Sequence, residues 1–194
     1  MKEPFERFVI GSIAGFAATA PMTGLMVGLH HQLPPEEKYP LPPRQITEEM
    51  ADTAGVEQNL DESDRTKLAL VNHFAYGALM GGLYGAMPPE WLRMSPVARG
   101  IAYGLGVWAA NYLGLLPAVG SQAAAHEESL RRNALMIAAH VVWGGSLGIV
   151  THALLMENAN ASQNEAQKAA ASAAGAEQAA WARKPDEAAA GAYS

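Results

Sequence analysis

Hydrophobic and polar positions are segregated along this chain. Four windows, 8–33, 68–87, 100–125 and 133–156, contain no Asp, Glu, Lys or Arg, so every charged residue falls between or beyond them. A helix needs about 20 mostly apolar residues to cross roughly 30 Å of hydrocarbon, and each window is long enough. The pattern predicts an all-α integral membrane fold with four transmembrane helices near 8–33, 68–87, 97–116 and 133–156. The averages conceal this: 49% hydrophobic, 16% charged and a mean hydropathy of −0.01 resemble a soluble protein.

Local signals punctuate the windows. Ala18-Thr19-Ala20 imitates a signal-peptide cleavage site, but Pro21 follows it and apolar character resumes through Leu33. We read an uncleaved first membrane helix. Asp61 is the expected N-cap of a polar lead-in to the second span, and Pro88-Pro89 ends that span. Ser95-Pro96 forms a cap and first-turn pair for the third, which ends near Leu116 ahead of Pro117 and Gly120. A loop at the membrane edge follows at 118–125. Arg131-Arg132 precede the fourth span.

The connector 34–67 carries more acids than bases. Within it Ile46, Met50 and Ala54, with Thr47 near the start, recur at helical spacing and predict a short interfacial helix. A solvated surface helix fits the same spacing. The domain division is therefore a four-helix membrane domain at 1–156 and an alanine-rich, partly helical or disordered tail at 157–194.

An internal frame repeats. His73, Tyr76, Gly77, Ala78 and Gly81 match His140, Trp143, Gly144, Gly145 and Gly148, each pair 67 positions apart. A weaker frame pairs Arg7 and Phe16 with Arg99 and Trp108, 92 positions apart. This predicts a parallel repeat of two helical hairpins about an axis along the membrane normal. Small residues four apart, such as Gly11/Gly15, Gly24/Gly28, Gly77/Gly81/Gly85, Gly100/Gly104 and Gly144/Gly148, allow close helix approach in lipid. They serve packing within one monomer, and a sharper reading adds a homo-oligomer interface.

The chemistry is defined largely by exclusion. Cysteine is absent, and the net charge of −6 argues against nucleic-acid binding. No acid lies within a span, and there is no HExxH, G-x-S-x-G or phosphate loop. The expectation is a non-enzymatic protein with no cofactor. Polar residues within spans are candidates by default. His30 and His31 sit at the connector end of the first span. His73 lies about 8 Å and His140 about 11 Å from that side at 1.5 Å per residue. Asn72, Tyr76, Asn111 and Trp143 complete a candidate pathway or pocket, while His126, Asn133 and His152 are further polar positions. Hydrogen bonding between helices and ordinary aromatic packing explain the same residues. Pro21 with Thr19 and Thr23 marks a kink whose freed carbonyl a neighbouring hydroxyl satisfies.

Gly-x-x-x-Gly near the start, Ala20-Pro21-Met22-Thr23, Tyr39-Pro-Leu-Pro-Pro-Arg44-Gln-Ile-Thr47, His73-Phe-x-Tyr76-Gly77 and Arg132-Asn133-Ala-Leu-Met-Ile-Ala-Ala-His140 resemble a group of small bacterial membrane proteins. These are similar in plan to the YagU-like inner-membrane proteins, over about residues 5–156. The resemblance implies a multi-pass bacterial inner-membrane location and supplies no reaction. Bases near the membrane do not decide orientation; Lys2 and Arg7 beside the first span favour cytoplasmic termini. Three functions compete. The first is passage or sensing of a small solute or protons through the His/Asn-lined half-bundle. The second is assembly through glycine stripes, and the third is haem or metal binding at His73 and His140.

Overall fold

Side-chain caps start two of the helices where the sequence places them. The Asp61 carboxylate accepts from the Asp64 N–H at 2.7 Å, and the Ser95 hydroxyl accepts from the Ala98 N–H at 3.3 Å, each satisfying an orphan first-turn donor. The computed structural model describes residues 4–56, 60–88, 93–115 and 129–182. Among them it is all-helical: α1 Pro4–His30, α2 Pro42–Thr53, α3 Glu62–Ala86, α4 Pro96–Ala110 and α5 Leu130–Ala182. A 3₁₀ turn at Pro35–Glu37 follows α1, and a π turn at Asn111–Leu115 continues α4. The chain divides into units Met1–Leu154 and Leu155–Ser194. In the second unit, helix continues to Ala182 and the surface is exposed almost throughout, because alanine-rich sequence favours helix but offers little area to bury.

Glycine contacts organise the first unit into two antiparallel pairs. A Cβ on Gly11 would collide with the backbone of Gly81 and Gly85, and one on Gly15 with that of Gly77 and Gly81. On the other pair, Gly100 faces the Gly144 carbonyl, and Gly148 faces that of Pro96. With no side chain between them, the backbones approach closely enough for Cα–H···O contacts, worth about 0.5–1 kcal/mol each. The pairs join through Tyr103, whose hydroxyl donates to the Met80 carbonyl at 2.8 Å, and Trp143, whose indole donates to the Gly15 carbonyl at 3.3 Å. Tyr84 packs on Tyr103 with ring centroids 5.2 Å apart.

These contacts shift part of the expected repeat. Gly77 and Gly144 are equivalent, but their partners Gly15 and Gly100 are 85 positions apart, not 92. Gly11 and Pro96 give the same spacing. Arg7 and Arg99 also differ in role. Arg7 donates to the carbonyls of Gly85 and Met87 at the end of α3, whereas Arg99 donates to the Tyr84 hydroxyl. The aromatic frame was misleading by two helical turns because packing register follows the glycines.

Other boundaries differ for local reasons. α1 runs from Pro4 to His30 rather than to residue 33, since the Gln32 and Leu33 N–H groups tighten onto carbonyls three residues back. The α-helical run of α4 stops at Ala110, short of residue 116, where the ladder widens into the π turn. α2 buries Thr47 and Ala51; of the expected Ile46/Met50/Ala54 stripe, Ile46 packs against the core, while Met50 and Ala54 are exposed. Its end at Gly55 takes φ 68°, a left-handed conformation that suits glycine. Pro21 sits within α1, but the Thr19 and Thr23 hydroxyls donate to the Gly15 and Thr19 carbonyls rather than to that of Ala17. The expected loop at 118–125, Pro89 and His126 lie outside the described residues.

Candidate functional site

Helical spacing gathers the polar residues on inward faces. On α1, Thr19, Met22 and Met26 form one stripe, and on α3 Asn72, His73, Tyr76 and Met80 form another. α5 contributes His140 and Trp143, and the π turn contributes Asn111 at its first position. A π turn re-aims a side chain relative to an α-helix, and here Asn111 meets Tyr76. α2 closes the connector side with Ile46, Thr47 and Met50. Together they line a partly open chamber of about 450 Å³ with no Asp, Glu, Lys or Arg in its lining.

Hydrogen bonds define what the polar groups can still do. The Tyr76 hydroxyl donates to Asn111 Oδ1 at 3.0 Å and accepts from Nδ2 at 2.8 Å. Asn72 donates to the Thr47 hydroxyl at 3.1 Å, tying α3 to α2. His140 Nδ1 lies 2.8 Å from the Met136 carbonyl. A carbonyl only accepts, so Nδ1 carries the hydrogen and Nε2 holds the lone pair of the neutral ring. His73 Nδ1 lies 3.4 Å from the Thr23 hydroxyl oxygen. That hydroxyl already gives its hydrogen to the Thr19 carbonyl at 2.7 Å, so His73 is the donor and again Nε2 keeps the lone pair.

Six of the eight sequence candidates line this chamber: His73, His140, Asn72, Asn111, Tyr76 and Trp143. The other two do not. His30 Nε2 lies 3.0 Å from the Tyr39 carbonyl, and His31 is exposed at the end of α1. His30 instead borders a second cavity of about 420 Å³, together with Lys38, Arg44 and Glu62. His73, Met26 and Pro43 line both cavities. Sequence reasoning missed Met22, Met26, Met50 and Met80 in the walls, as well as Thr23. The signal available was that Met22 and Met26, four apart, share the first helix with Thr19 and Thr23.

The connector is held over the chamber by charge. Arg132, 3% exposed, donates to the carbonyls of Glu37 at 3.0 Å, Tyr39 at 3.2 Å and Pro40 at 3.3 Å. Its guanidinium also lies 3.5 Å over the Tyr39 ring. Arg44 holds α2 to α3 through both Glu62 carboxylate oxygens, at 2.8 and 2.7 Å, and bonds Glu48 at 2.5 Å within α2. The hydrogen bond from Arg44 holds the Glu62 carboxyl below its ordinary value, and the Arg44 guanidinium is raised in turn.

The opposite half of the unit is filled. Beyond Trp143 the Tyr84–Tyr103 pair and the glycine contacts occupy the space between helices. Among the described residues, no three His, Asp or Glu side chains gather to hold a metal ion. His73 and His140 would supply two nitrogens, an incomplete zinc set. The arrangement suits retention of a small uncharged molecule, because it offers hydrogen-bond groups and no counter-charge for an ion.

No curated protein and no solved structure matches the chain. Residues 24–149, which include α2, α3, α4 and every chamber residue except Thr19 and Met22, match the family described as "Protein of unknown function (DUF1440)". The chain belongs to that family.

Proposed function

We propose that this is a four-span bacterial inner-membrane protein that receives a small neutral solute in the His/Asn-lined chamber of its half-bundle. The uncharged chamber carries this reading: it brings six candidate polar residues together among methionine and aromatic side chains. Its volume lies within the roughly 300–1,000 Å³ of small-molecule sites. Two helices, Pro4–His30 and Leu130–Trp181, are long and apolar enough to cross a membrane. α3 falls short in hydropathy because Asn72 and His73 and four glycines dilute it, and α4 is shortened by the π turn. Exposed Ile13, Phe16, Val71 and Ile149, each more than half accessible, supply the apolar outer surface that lipid requires.

α2 covers the connector side of the chamber, exposed Tyr76 and Leu79 lie along its α3 wall, and the far half is filled, which favours binding or sensing over a continuous channel. Assembly is the second reading, and one observation directs it. A Cβ on Gly24 or Gly28 would meet nothing within 4 Å, so this pair is available to a neighbouring helix.

A thermal-shift screen of the detergent-purified protein against neutral solutes of graded size tests the solute reading. Binding should stabilise the wild type and be lost in Met80→Trp, which fills the chamber. Equal shifts in both proteins would place the solute elsewhere.

A further inference from the structure

We infer that the chamber takes a neutral aromatic ring bearing two hydroxyl groups, the chemistry of a hydroquinone; this rests on the chamber being a solute site. The argument comes from which hydrogen-bonding capacity is already committed. Trp143 gives its indole hydrogen to the Gly15 carbonyl, and Tyr112 gives its hydroxyl hydrogen to the Met136 sulfur. Tyr76 and Asn111 are bonded to each other. His73 and His140 both spend their Nδ1 hydrogens on protein oxygens, at Thr23 and at the Met136 carbonyl.

What remains is chiefly acceptor capacity. Each imidazole keeps an Nε2 lone pair, and Asn72 keeps its amide oxygen and one N–H beside α2. A ligand that only accepts hydrogen bonds would leave the two imidazole nitrogens unsatisfied. An ion would be stranded without a counter-charge. A hydroxyl donates to an imidazole nitrogen and remains neutral. The remaining walls favour a flat ring, since thioethers of Met22, Met26 and Met80 adapt to its shape and make favourable sulfur–aromatic contacts. His73 and His140 lie on different helices, α3 and α5, so two hydroxyls on one ring can be met from two walls. The inference concerns binding alone and invokes no electron transfer.

Calorimetry on the full-length protein in mild detergent tests this with three probes: 2,3-dimethylhydroquinone kept reduced, its dimethyl ether and the corresponding quinone. The hydroquinone should bind at least ten-fold more tightly than either analogue. In His140→Leu and in His73→Leu that preference should shrink toward unity while affinity for the ether persists. Equal affinity for all three probes on the wild type overturns the inference, and that comparison needs no variant. So does a preference that survives both substitutions. If none of the three binds while other neutral solutes stabilise the protein, this inference fails and the solute site stands. If no neutral solute binds at all, both fail.

Discussion

Tyr76 and Asn111, 35 residues apart in the chain, satisfy each other across the chamber wall with the hydroxyl 2.8 Å from the amide nitrogen. Asn111 is 9% exposed, so the pair fixes the π turn against α3. Tyr76→Phe should strand a buried amide and cost about 1–3 kcal/mol. A lower thermal midpoint checks this. Adding Asn111→Ala should recover part of the loss, because removing both partners leaves no unsatisfied group.

Glycines four apart divide into two functional kinds. Gly81 contacts the backbones of Gly11 and Gly15 directly, whereas Gly24 faces open space. Gly81→Leu should therefore break the α1–α3 pairing, with an overpacking cost of about 1–3 kcal/mol or more, rather than only disrupt a complex. Circular dichroism melts and size-exclusion profiles should show loss of the folded unit. Gly24→Leu should leave the melt within about 0.5 kcal/mol of wild type, as for a surface substitution. A smaller particle for Gly24→Leu would support self-association through that face.

The reading of four spans predicts alternating sides for the connectors. Reporter fusions at Asp61 and Pro89 should report opposite sides of the membrane, with fusions at Pro89 and Ala169 on the same side. Asp61 and Pro89 on one side would exclude the four-span arrangement.

Legibility in the sequence depended on how local the cause was. The charge-free windows located α1, α3, α4 and the start of α5, the apolar spacing of Ile46 and Met50 marked α2 in the charged connector, and Asp61 and Ser95 capped where their own side chains could reach a first-turn N–H. His73 and His140 were legible as site residues because a polar group in an apolar helix is costly wherever it sits. Arg132 was not legible, since its partners are backbone carbonyls more than 90 residues earlier in the chain. Nor was the π turn at Asn111: it lies inside a charge-free window, and no side-chain pattern distinguishes a π from an α turn there. The methionine walls were hidden because methionine reads as any apolar residue until the helices face one another.

Acid should loosen the helix that covers the chamber. Glu62 is held below its ordinary value of 4.5, chiefly by its hydrogen bond to Arg44. A depressed carboxyl contributes stability that is fully present above its unfolded value and is lost as pH falls through the lower, folded value. Hydrogen exchange across α2 should therefore rise as pH drops below about 4.5, after correction for the intrinsic pH dependence of exchange. Arg44→Met should show fast exchange at every pH and remove the acid-dependent step. An identical pH profile in the two proteins would mean that the pair does not hold α2.

The absence of cysteine gives the most direct test of whether a solute reaches the chamber. Met80→Cys places a single thiol in its wall, and Leu147→Cys places one in the closed core, where Leu147 is 0% exposed. In intact membranes N-methylmaleimide, small and neutral, should modify the thiol at position 80 at least ten-fold faster than the one at position 147. A solute that binds the chamber should slow the reaction at position 80. Equal and negligible rates at the two positions would contradict the account, because a chamber that no neutral molecule can enter cannot be a solute site.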